Sequence, residues 1–137
     1  MGNGIRCYRD LEVWKTGMSL VLESYRLTAH FPRNETFGLT SQIRRAAVSI
    51  PSNIAEGHGR LHRGDYLRSL SVAIGSLQEL ETEVTLARHL GYATAVDALQ
   101  ITQLADEVGR MLGALTRSLR RHPQPQSPSP EPLVPSP

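Results

Sequence analysis

Tyr66, Leu70, Ala73, Leu77, Leu80, Val84 and Ala87 follow one another in alternating steps of four and three residues. That spacing keeps one apolar stripe on one side of an α-helix, and it is the seam along which the helices of bundles and coiled coils pack. A strand buries every second residue and cannot read this way. The spacing therefore predicts a long helix from about Arg63 to Leu90, with Gly91 as its C-terminal stop. A helix with one apolar stripe needs other helices to cover it.

Three further stretches supply them. From about Asp10 to His30, Leu11, Trp14, Met18, Val21 and Tyr25 form a seam. Asp10 is the expected N-cap, and Phe31-Pro32 ends the helix because the residue before proline avoids the α region. Leu20, Leu22 and Leu27 fall off this seam and count as surplus apolar surface. From about Leu39 to Glu56 the seam is Leu39, Ile43, Ala47, Ile50 and Ile54, with Thr40 or Ser41 to cap it and Gly57 and Gly59 to stop it. Pro51 lies inside, so a bend near Val48 is expected. From about Thr94 to Arg121, Ile101, Ala105, Val108, Leu112, Leu115 and Leu119 repeat the pattern, with Leu104 and Met111 on a second stripe. Short links make sequential helices antiparallel neighbours. The fold class expected is all-α, an up-down-up-down four-helix bundle.

The bundle is expected over residues 1–122. Residues 123–137 hold seven of the nine prolines and too little apolar surface to offset the entropy of ordering, so they read as an extended Pro-rich tail. The single cysteine, Cys7, cannot make an internal disulfide, and Met1 to Asp10 lack the shape of a signal peptide. No apolar run approaches the roughly 20 residues needed to span a bilayer. A cytoplasmic protein without membrane attachment is expected.

The formal net charge is only +2, yet fourteen of the fifteen basic residues are arginine, a side chain suited to phosphate. In an up-down-up-down bundle one end collects Arg6, Arg9, Arg60, Arg63, Arg68, Arg117, Arg120 and Arg121, with His58, His62 and His122. Asp10, Glu12, Glu56 and Asp65 offset them nearby, whereas Glu23, Glu79, Glu81, Glu83 and Asp97 fall in the other half. Two readings stay open. The arginines closing the last helix complement its dipole. Alternatively, Arg60, Arg63, Arg68, Arg117, Arg120 and Arg121 bind RNA or DNA, led by charge and without base readout. Arg44 and Arg45 form a secondary basic contact, about 100° apart on their helix, for which salt bridging is the plainer role.

Other constellations read as structural. His58 and His62 with Glu56 lack the fixed ligands a metal needs, and the glycines around His58 speak against a helix there. Ser49, Ser52 and Asn53 are placed to satisfy backbone groups freed by Pro51. They lack the base and orienter of a serine nucleophile. Glu79, Glu81 and Glu83 read as a solvated or inter-subunit acidic face. Gly57-x-Gly59 lacks the strand that precedes a phosphate loop. No catalytic residue, metal or cofactor is expected.

The segment GLTSQIRRAAVSIPSNIAEGHG at Gly38 to Gly59, with YRDLEVW at Tyr8 to Trp14 and the later SLSVAIGSLQELET, resembles the four-helix bundle proteins encoded by intervening sequences in bacterial 23S rRNA genes. The resemblance covers about Tyr8 to Arg121. That family is similar in turn to the accessory variability proteins of diversity-generating retroelements, basic pentameric rings that bind a reverse transcriptase and its template RNA. The resemblance implies a homopentamer with no known catalytic activity and no defined active-site residues, with RNA, DNA or a reverse transcriptase as partner. The Pro-rich tail and the near absence of lysine depart from the commoner family pattern. The function expected is a non-enzymatic, oligomeric interaction module acting on nucleic acid. The rivals are a reverse transcriptase accessory subunit and a purely structural or protein-interaction ring.

Overall fold

The computed structural model describes residues 4–121, so the expected tail and His122 lie outside the described residues. Four helices account for most of them: α1 over Glu12–Thr28, α2 over Leu39–His58, α3 over Arg63–His89 and α4 over Leu99–Arg121. Short 3₁₀ turns at Tyr8–Asp10 and Arg33–Glu35 lead into α1 and α2, and there is no strand among the described residues. Each helix packs on the next, and α4 packs back on α1, which closes the bundle.

The contacts run in opposite directions along the α1–α2 and α2–α3 pairs. Gly17 faces Ile50 and Pro51 while Thr28 meets Arg44, so α1 and α2 are antiparallel. Gly57 lies on Tyr66 and Ser69 while Ser49 meets Ser76, so α2 and α3 are too. Gly109, near the middle of α4, rests on Leu77, near the middle of α3. With Gly91 turning the chain at φ +80°, a conformation that favours glycine, α4 returns along α3.

The seams expected for α2, α3 and α4 are the core. Ile43, Ile50, Ile54, Leu70, Leu80, Val108 and Leu112 are wholly buried, while Tyr66, Leu115 and Leu119 pack on the core half-covered. Leu104 and Met111 also pack against it, which uses the second stripe of α4 within the protomer.

Helix α1 corrects the expectation. Its buried stripe is Val13, Gly17, Leu20, Ser24, Leu27 and Thr28, whereas Met18 and Tyr25 are exposed. Leu11, Trp14 and Val21 pack at the margin. Leu20 and Leu27 are thus core, and of the three surplus leucines only Leu22 stays outside. The reason is that small and hydroxyl residues lie on the buried stripe. Gly17 packs on Ile50 and the Pro51 ring, where even an added Cβ would stand 3.6 Å from the proline Cβ, at ordinary contact distance. Ser24 and Thr28 return their hydroxyls to the carbonyls of Leu20 and Ser24, each at 2.8 Å. An apolar count does not register such a stripe.

The caps differ as well. Asp10 accepts the Arg6 amide at 2.7 Å and belongs to the 3₁₀ turn, leaving Leu11 at the α1 N-cap. Neither Thr40 nor Ser41 caps α2. Gly38 holds that position, and Glu35 reaches the Leu39 amide at 3.1 Å. The chain before α4 forms turns in which Thr94 and Asp97 bond each other's amides reciprocally, so the helix begins later than expected. Helix α2 continues through Pro51 and Gly57 to His58, which places His58 inside a helix after all. Of the polar residues around Pro51, Asn53 bonds the Ser49 carbonyl at 2.8 Å and Ser49 bonds Ser76 across the α2–α3 contact at 2.7 Å. Ser52 is exposed.

Candidate nucleic-acid interface

The antiparallel order gathers the start of α1, the α2–α3 link and the end of α4 at one end of the bundle. Its arginines differ in their surroundings. Arg60 pairs with Glu56 and Arg68 with Asp65 at 3.5 Å, and the two pairs line one cleft of about 320 Å³. Their charge is largely answered on the spot. Arg63 is half-buried, with its Nη1 out of reach of any acceptor. Arg9 lies 5.1 Å over the Tyr8 ring. Arg117, Arg120 and Arg121 are exposed on the last turns of α4, with no acidic partner among the described residues. The Arg6 amide holds the Asp10 carboxyl below the usual carboxylate range. Beside this end, His58 Nδ1 lies 3.4 Å from the Tyr66 hydroxyl, whose pKa burial pushes up. No group of three or more His, Cys, Asp or Glu that could hold a metal occurs among the described residues.

Arg44 and Arg45 occupy a different setting. Both line an open groove of about 600 Å³ between α1 and α2, shared with Tyr25, Phe37, Ser41 and Val48. Although their Cα–Cβ vectors diverge, these long side chains reach the same groove. Arg44 is anchored there without a carboxylate. Its Nε donates to Thr28 Oγ1 at 2.8 Å, and its guanidinium lies 4.4 Å over the Tyr25 ring. Cation–π contact of this kind contributes about 0.5–1 kcal/mol at exposed sites. Arg45 is exposed and borders a second cleft, lined by Gln42, Ser49, Ser76 and Glu79.

The three glutamates of α3 do not form one solvated face. Glu83 is only 7 % exposed, and its Oε1 has no hydrogen-bond partner. Burial, then the neighbouring Glu79, pushes its pKa up to about 7. Glu79 and Glu83 are four residues apart and share a face. Glu81 is on another, where burial and then Asp106 raise its pKa.

A family model described as 23S rRNA-intervening sequence protein matches residues 9–114. The chain belongs to that family. The matched residues take in the α1–α2 groove together with Arg60, Arg63 and Arg68. They stop short of Arg117, Arg120 and Arg121. The family membership therefore covers the groove entirely and the basic end only in part. No curated protein matches the chain. Among the described residues, no helix is long and apolar enough to cross a membrane.

The residues that sequence reasoning missed are Tyr25, Thr28 and Phe37. Placing Tyr25 on the buried seam of α1 hid its role as a platform for Arg44. Phe37 stands in the α1–α2 link, where no periodicity marks it. An aromatic residue immediately before a helix-starting glycine was the only signal.

Proposed function

We propose that this family member is a non-enzymatic, cytoplasmic interaction module that self-associates and binds RNA or DNA through its arginine-rich end. The observation that carries the reading is the set of exposed arginines on the last turns of α4, Arg117, Arg120 and Arg121, without acidic partners among the described residues. Unpaired guanidinium groups on one surface displace counterions from a phosphate backbone, which gives salt-dependent and weakly sequence-specific binding. Self-association is supported by exposed apolar residues around the α3–α4 link, where Leu86, Leu90, Val96 and Leu99 remain uncovered. Surplus apolar surface of that kind marks contact sites. A homopentamer is the assembly the family likeness favours, and a reverse transcriptase is one protein partner consistent with it.

Binding of several unrelated RNAs, followed across a salt series, tests the first half. Similar affinities falling together with salt are expected. No binding at low salt would leave a structural or protein-interaction ring, which the uncovered leucines support by themselves. Light scattering tests the second half, and a stable monomer of about 15 kDa at micromolar concentration would overturn it.

A further inference from the structure

Phe31 and Phe37 are the only phenylalanines, and they meet opposite fates. Phe31 is buried against Tyr92, with ring centroids 5.5 Å apart. Phe37 is 96 % exposed. A lone exposed apolar residue is ordinary. This one borders a concavity that also holds the Tyr25 ring and two guanidinium groups, with Thr36, Thr40, Ser41 and Ser49 contributing hydroxyls and no carboxylate among the lining residues. Its volume of about 600 Å³ falls within the range of small-ligand sites.

The groove is also partly preorganised. Thr28 holds Arg44 at 2.8 Å and is itself fixed by its bond to the Ser24 carbonyl. Arg44 is therefore held over the Tyr25 ring, 4.4 Å from its centroid, before any ligand arrives. A guanidinium is planar and cationic, so at the groove wall it can receive a second flat group. Arg45 has no ion-pair partner among the described residues and can turn its fork to an anion. A flat apolar ring joined to a phosphate satisfies both ends of the groove.

We propose that the α1–α2 groove seats one unpaired nucleotide of a single strand, its base on Phe37 and the Tyr25–Arg44 stack and its phosphate on Arg45. The bases of a duplex are stacked on one another and cannot reach the rings, so a duplex does not seat in the groove and gains nothing from Arg45 there. The groove thus separates single strands from duplexes, whereas the arginine-rich end does not. This assignment rests on the nucleic-acid reading given above and adds a second site to it.

The full chain carrying Phe37→Trp, titrated with a short oligoadenylate, a duplex of similar charge and heparin, tests the proposal. The exposure of Phe37 makes this substitution compatible with the fold. Stacking predicts that the oligoadenylate quenches the new indole and that heparin does not. In the otherwise unaltered chain, Phe37→Ala and Arg45→Gln should each weaken oligoadenylate binding about tenfold and leave duplex and heparin binding unchanged. Equal responses to all three polyanions would overturn the groove assignment while leaving the basic-end reading standing. So would a Phe37→Ala chain that binds the oligoadenylate normally but loses its assembly mass, because the groove would then house a second copy. If the unaltered chain binds none of the three at low salt, both readings fall together.

Discussion

The arginine-rich end and the α1–α2 groove carry positive charge in opposite ways. The end has many arginines, but Arg60 and Arg68 are tied to neighbouring acids, and the three closing α4 have no ion-pair partners among the described residues. Exposed chains of that length lose conformational entropy when a ligand fixes them, and salt screens their attraction. The groove has two arginines, of which Arg44 is already placed by a hydroxyl and a ring. Less of its ordering cost remains for binding. The number of cations in a region therefore says little about how selectively it can bind. What matters is whether the fold holds them.

The most severe way to break the comparison is to damage the core that supports both regions. Ile50 is wholly buried and faces Gly17. Ile50→Ala should cost about 2–5 kcal/mol in urea unfolding, and binding at both regions should fail together as the chain unfolds. A cost below about 1 kcal/mol would mean that the α1–α2 contact is looser than described.

The difference in anchoring predicts unequal stability effects from two adjacent arginines. Arg44→Gln removes the bond to Thr28 and the stack on Tyr25, and should cost about 1–2 kcal/mol. Arg45→Gln should stay within about 0.5 kcal/mol of the unaltered chain. Equal costs would erase the distinction between a held and a free guanidinium.

A third test uses pH. The Glu83 carboxyl titrates at about 7 in the fold, against an ordinary 4.5, chiefly because burial disfavours its charge. The native state then holds more protons than the unfolded state between those values. This group's contribution makes stability fall as pH rises from about 4.5 to about 7 and then level off. Glu83→Gln should raise the melting temperature by a few degrees at pH 8 and by much less at pH 4. A Glu83→Gln chain less stable than the parent at pH 8 would show that the carboxylate has a partner in the assembled protein.

The smallest stability change is expected at the arginine-rich end. Changing Arg117, Arg120 and Arg121 together to Gln should leave the melting temperature nearly unmoved, since all three are exposed. The magnitude of the salt slope for duplex binding should nevertheless drop by about 2–3, at about 0.7–0.9 for each lost phosphate contact. An unchanged slope would move duplex binding elsewhere, with the Arg44→Gln, Arg45→Gln pair as the control on the other face.

By itself the sequence determined the all-α class, the extents of α2 and α3 to within a few residues, and the core stripes of α2, α3 and α4. These helices keep a heptad rhythm of large aliphatic residues, and burial of such residues is decided by spacing along the chain. The family was legible in the run from Gly38 to Gly59, and the placement of arginines at one end followed from short links and helix order. Only the tertiary structure decided the phase of α1, because Gly17, Ser24 and Thr28 earn burial through the Pro51 ring and through hydrogen bonds to their own helix. That same phase brought Tyr25 out beneath Arg44. Tertiary packing also decided that Glu83 is buried while Glu79 remains exposed, and that Arg60 meets an acid while Arg117 does not. Charge and hydropathy belong to each residue separately. Burial and pairing belong to contacts between helices, and the spacing of residues within one helix does not specify which side chains its neighbours will present.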